Sequence, residues 1–74
     1  MEDFYHILLF KTNISSEADK ASVCAMLGNT PGLEKWSVDI EDEDCVLRVI
    51  SRTLRHAQII ELITQHGYNC CELL

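Results

Sequence analysis

The sequence predicts an α+β fold: a ferredoxin-like βαββαβ sandwich. Its four-stranded antiparallel sheet, in the order 4-1-3-2, carries two helices on one face. Three observations predict it. Apolar, β-forming runs alternate with two helix-length stretches in the order β-α-β-β-α-β. The second and third runs are separated only by the acidic turn EDED, which makes them a hairpin. Gly follows each helical stretch and ends it before the next strand.

The elements follow in order. Residues 4–14, FYHILLFKTNI, are apolar and rich in β-formers, as a central strand should be. Residues 16–27 read as a helix, with Ala18, Ala21, Val23, Met26 and Leu27 on a partial apolar face, stopped by Gly28-Asn29 and Pro31-Gly32. In LEKWSVDI, Leu33, Trp36, Val38 and Ile40 are interleaved with polar residues, the alternation of a half-buried strand, and Trp36 falls on its core side. CVLRVIS is the third strand. Thr53 is the expected N-cap of a second helix running to about His66, with Ile59, Ile60, Leu62 and Ile63 as its buried stripe and Gly67 as its stop. NCCELL is a short last strand. Residues 1–74 thus form a single small domain.

Twelve acids oppose six bases, a net charge of −6. Phosphate binding needs clustered Lys and Arg, so nucleic acid is not an expected partner, nor is an anionic membrane. No run of apolar residues is long enough to span a bilayer. The start, MEDFYHILLF, is acidic and lacks a basic leader segment, so the expected location is the cytoplasm. There the four cysteines, Cys24, Cys45, Cys70 and Cys71, should stay reduced. No pair has C-x-x-C spacing. Cys70 and Cys71 are adjacent, and on a strand they should point to opposite faces rather than converge on one metal. No catalytic triad order, H-E-x-x-H or Gly-rich phosphate loop occurs, and the chain is not expected to be an enzyme.

The stretches TPGLEKWSVDIEDEDCVLRV and IIELITQHGYNCCEL resemble the heavy-metal-associated domains of copper chaperones and metal-transporting ATPases. The resemblance covers nearly the whole chain. With the family's usual spacing, counted back from Gly32, Val23, Met26 and Leu27 fall on helix-1 core positions and Ile14 falls where the family usually has Met. The family's two metal-binding cysteines then fall on Ser16 and Asp19. A hydroxyl and a carboxylate are hard donors and do not replace the thiolates that select a soft ion. The resemblance therefore implies the fold but not the family's thiolate site.

Two readings compete at Ser16-Glu17-Ala18-Asp19. The segment matches a capping box, with Ser16 accepting the N3 amide and Asp19 reaching back to the Ser16 amide. Alternatively, Asp19, Glu17 and His66 would supply oxygen and imidazole ligands to a harder divalent cation such as Zn²⁺. The expectation is no cofactor, with that divalent ion as the alternative. Tyr68 is expected to pack over Ile14 or shield the loop. His6 and His56 are expected to be surface or satisfied histidines.

Strand parity adds an interface. If Leu8, Phe10 and Thr12 face the helices, then Tyr5, Ile7 and Leu9 face away, joined by Val46 and Ile50 from the third strand, with Lys11 and Arg48 beside them. A contiguous apolar patch on an open sheet marks a protein contact or self-association. The expected function is a small binding module that acts by protein contact. The alternatives are a carrier of a harder cation and a small-ligand regulatory domain.

Overall fold

A computed structural model describes residues 7–73. Tyr5 and His6 lie outside them. The elements are β1 (Ile7–Thr12), α1 (Glu17–Gly28), β2 (Lys35–Asp39), β3 (Val46–Ile50), α2 (His56–Gln65) and β4 (Cys70–Glu72). The four strands form one sheet in the order β2-β3-β1-β4, every neighbouring pair antiparallel, which is the predicted topology read from the other edge.

Both faces of β1 are apolar in sequence, so periodicity alone does not say which one meets the helices. The structure turns Leu8, Phe10 and Thr12 inward and leaves Ile7 and Leu9 half-buried on the helix-free face. Phe10, Ile14, Val23, Leu27, Leu47, Val49, Ile59 and Ile63 are fully buried, so β1, β3, both helices and the loop after β1 share one core. Each such side chain contributes about 1.5–3 kcal/mol relative to exposure. Val23 and Leu27 come from α1 and Ile59 and Ile63 from α2, one helical turn apart in each case, which is the spacing of a single buried stripe. Trp36 pairs with Val49 across the hairpin and lies against Gly28, on the inward side as expected.

The start of α2 differs from the sequence expectation. Its N-cap is Arg55, not Thr53. The Ser51 hydroxyl donates to the Gly32 carbonyl at 2.7 Å and accepts the amides of Thr53 and Leu54 at 3.3 and 2.9 Å. Those amides are used in a tight turn, and the helix begins only after it. The Gln58 side chain then caps the new start, accepting the Arg55 amide at 2.8 Å. Gly32 has φ +94°, and a Cβ there would meet the Thr53 hydroxyl at 2.6 Å, so only glycine fits where the α1–β2 connection crosses this turn.

Candidate functional site

The end of the sheet where β1 runs out collects three connections. Thr12 organises the first of them from inside. It is buried, and its hydroxyl donates to the Cys45 carbonyl at 2.6 Å and accepts the Ile14 amide at 3.1 Å. That ties the β1–α1 loop to the end of the hairpin turn and drives Ile14 into the core. The hairpin acids serve their own backbone: Asp39 accepts the Glu41 amide at 3.1 Å and Asp42 accepts the Asp44 amide at 2.8 Å. Asp44 also meets Lys11 at 3.5 Å, an exposed pair of small energetic weight.

Half of the expected capping box forms. The Ser16 hydroxyl accepts the Asp19 amide at 3.0 Å. The Asp19 carboxylate takes a different partner, the phenolic hydroxyl of Tyr68, which donates to it at 3.0 Å. Tyr68 reaches this position because α2 ends in a Schellman motif. Gly67, at φ +98°, donates to Thr64, and the Tyr68 amide donates back to Ile63. The chain therefore reverses over the helix end and sets the Tyr68 ring beside α1. Asn13 closes the arrangement, its side-chain oxygen accepting the Asn69 amide at 2.8 Å. One turn along α1 the Ser22 hydroxyl lies 3.1 Å from His66 Nε2, and the rings of His66 and Tyr68 are 6.0 Å apart.

The result is a polar cluster of Asp19, Ser22, His66 and Tyr68 across the gap between α1 and the α2–β4 turn. Of the three sequence-named ligands, Asp19 and His66 enter this cluster and Glu17 stays exposed in the first turn of α1. Among the described residues, no three His, Cys, Asp or Glu side chains are placed to share a metal ion. Sequence reading missed Ser22. Its position one turn after Asp19 on the same helix was the available signal, but its partner His66 lies 44 residues away.

The Tyr68 phenol is held above its ordinary value, first by the hydrogen bond to Asp19, then by desolvation and by the Asp19 charge, with Ser22 acting the other way. A raised folded-state pKa means that this stabilisation is complete below the unfolded value of 10.0 and is lost as pH rises through the folded value. In a Tyr5→Phe background, absorbance titration is expected to show Tyr68 ionising above pH 10.0, and Asp19→Asn is expected to bring the midpoint down. An unchanged midpoint in Asp19→Asn would remove the contact as its cause.

The second candidate region is the helix-free face of the sheet. Cross-strand pairs place Ile7 opposite Ile50, Leu9 opposite Arg48, Asp39 opposite Val46 and Lys35 opposite Ile50. Ile7, Leu9, Val46 and Ile50 are each half-buried with no helix above them. Lys11, Lys35 and Arg48 lie on the same face, and all three are exposed. Tyr5, the fifth residue expected here, falls outside the described residues. At the other end of the molecule, the half-buried His56 lies with its ring 5.4 Å from that of Phe10 at a tilt of 57° and its Nε2 3.6 Å from Glu72.

No family model matches the chain, and no curated protein matches it. Solved structures do. The chain is similar to the copper(I)-loaded first domain of the human copper chaperone for SOD1, CCS, at 20% identity and TM-score 0.78 over 89% of each chain. It is similar to a copper binding domain from HMA7, a P-type ATPase, at 22% identity and TM-score 0.80, covering 92% of this chain and 93% of that one. It is also similar to oxidized MerP from Ralstonia metallidurans CH34, at 13% identity and TM-score 0.79, covering 92% and 96%. The chain has the fold of the heavy-metal-associated domains. At these identities the likeness establishes that fold and nothing finer.

Within the heavy-metal-associated fold, one expectation is corrected. The sequence reading of no cofactor rested on the hard donors Ser16 and Asp19 in a single loop. Two of these three neighbours are a copper(I)-loaded domain and a copper binding domain, and that finding overturns the expectation of no cofactor. Both are named for chaperoning or binding, not for catalysis. No described helix is long and apolar enough to cross a membrane.

Proposed function

We propose that residues 1–74 form a cytoplasmic metal-handling module that works by docking a protein partner on the open face of its sheet. The carrying observation is that face. Four half-buried apolar side chains, Ile7, Leu9, Val46 and Ile50, lie under no helix, and three of the six bases of a chain with net charge −6 lie around them. Apolar area of this kind favours association, and the three bases outnumber Asp39, the exposed acid opposite Val46 on the same face, which favours an acidic partner surface over a second copy presenting the same bases. Ser16 at the N-cap and Asp19 in the first turn of α1 are oxygen donors already engaged in a helix cap and a tyrosine contact, which supports a reading without a soft ion at this end.

The face is tested by differential capture from a cell extract. Proteins retained by the wild-type chain are expected to be lost with Leu9→Asp and with Arg48→Glu and kept with Glu43→Lys in the acidic turn. Retention by both face variants would overturn the contact. Sedimentation of the wild-type chain checks the second-copy outcome, and a monomer is expected.

A second reading has its own observation. Asp19 and His66 lie in one cluster, with Glu17 in the same helical turn as Asp19, which supports a hard divalent cation at this end. Zn²⁺ binding that shifts the amides of residues 16–19 and 66–68 favours it. Zn²⁺ binding that leaves them unmoved removes it.

A further inference from the structure

On the open face of the sheet, β2 and β3 bring four side chains to the corners of a square. Lys35 stands opposite Ile50, and Ser37 stands opposite Arg48. Strand alternation puts all four on the face away from the helices, because Trp36 and Val49, the pair between them, pack toward the core. Three of the corners are long or branched side chains. Ser37 is short, and beside it lies a slot of about 200 Å³ lined by Lys35, Trp36, Ser37, Arg48 and Ile50.

The slot is apolar within and cationic at its mouth. Ile50, the half-buried Trp36 and the aliphatic stems of Lys35 and Arg48 give it apolar walls. Among the described residues, the charged groups on its lining are the Lys35 ammonium and the Arg48 guanidinium, both on exposed side chains. The acids at either end of β2 are engaged elsewhere. Glu34 lies 3.7 Å from Arg52, and Asp39 accepts the Glu41 amide at the start of the hairpin turn.

We infer that this slot receives one large apolar side chain, of Leu or Phe size, from an acidic segment of the partner whose flanking carboxylates meet Lys35 and Arg48. This anchor deepens the sheet-face docking proposed above, on which it rests. A side chain that enters the slot leaves water on several sides at once, whereas one laid on a flat sheet leaves it on one. Anchors of this kind, ringed by polar contacts, carry most of the affinity of a protein interface. The two cations stand on adjacent strands, so carboxylates beside the anchor are attracted and a basic segment is repelled. β2 is an edge strand with no described neighbour on its outer side, which leaves the approach to the slot open. Arg48 also borders a second depression, where Asp39 and Asp42 join Leu9 and Val46. The charge of the face therefore changes sign across Arg48, and the acidic segment belongs at the Lys35 end rather than over the hairpin turn.

The test titrates the full-length chain with three synthetic peptides and follows backbone amide shifts by NMR. The first peptide is Glu-Glu-Phe-Glu-Glu, the second has Ala in place of its Phe, and the third has Lys in place of every Glu. The first is expected to move the amides of residues 35–37 and 48–50, and the other two are expected to bind on the order of tenfold more weakly or worse. Ser37→Phe fills the slot from its own corner and is expected to weaken the first peptide by a similar factor, while Ser37→Ala leaves it unchanged. Ser37 is exposed on a strand that favours aromatic residues, so both variants should fold, with circular dichroism as the check. Equal binding of the Phe and Ala peptides, undiminished binding by Ser37→Phe, or no binding of the first peptide would each overturn the slot. The extract capture separates this result from the docking face. Proteins lost with Leu9→Asp and Arg48→Glu but retained by Ser37→Phe would overturn the slot and leave the face standing, whereas retention by both Leu9→Asp and Arg48→Glu would overturn the face itself.

Discussion

Phe10→Ala is expected to remove about 3–5 kcal/mol, a large share of the chain's stability at 25 °C. Phe10 is fully buried at the middle of the sheet, paired with Leu47 on one side and Glu72 on the other. His56, at the start of α2, packs its ring against that of Phe10 at a tilted angle, so the side chain joins both strand neighbours to the second helix. Truncating a buried Phe costs about 3–5 kcal/mol, the transfer term and the cavity together. At about 0.05–0.15 kcal/mol per residue, a chain of this length has only about 4–11 kcal/mol in total. Urea unfolding followed by circular dichroism measures the loss. Leu9→Ala, one residue earlier and on the open face, is the control and should shift the midpoint by much less. Equal effects at the two positions would contradict the parity of β1.

The second large effect is expected at Thr12. Thr12→Val conserves shape and leaves the apolar contacts in place, yet it removes a hydroxyl that serves two backbone groups, the Cys45 carbonyl and the Ile14 amide. Both hydrogen bonds are buried. An orphaned buried donor or acceptor costs about 1–3 kcal/mol, so the substitution should destabilise by about 2–4 kcal/mol if the two losses partly relax. Thr12→Ser retains the hydroxyl and should recover most of the loss. Cys45 adds to the expectation, since it is a non-glycine residue at φ +46° and its conformation is held in part by this contact. Urea midpoints of the two variants check it, and a near-wild-type Thr12→Val would show that water satisfies both groups.

The candidate regions were legible to different degrees. The acidic end was visible because topology alone brings the β1–α1 loop, the hairpin turn and the α2–β4 turn together. The half of the capping box that depends on local sequence, Ser16 to the Asp19 amide, forms as expected. The half that depended on Asp19 does not, because Tyr68, 49 residues away, offers its carboxylate a partner. Thr53 was misread as a cap for a similar reason. Ser51 reaches across to the Gly32 carbonyl, a contact 19 residues distant, and in doing so takes the amides that would have started the helix earlier. The adjacent cysteines were read as divergent from strand geometry, which is correct for their directions.

The sequence by itself determined the order of elements, the hairpin, the Gly67 stop and the residues of the core, because these follow from periodicity and turn chemistry within short windows. It also determined which residues of each strand share a face. Only the tertiary structure decided which face of β1 meets the helices, since both are apolar and the choice is made by fit to Val23, Leu27, Ile59 and Ile63. It likewise decided the partners of Asp19, His66, Thr12 and Ser51. Those are contacts between residues far apart in the chain, and no local pattern specifies them until the core has packed.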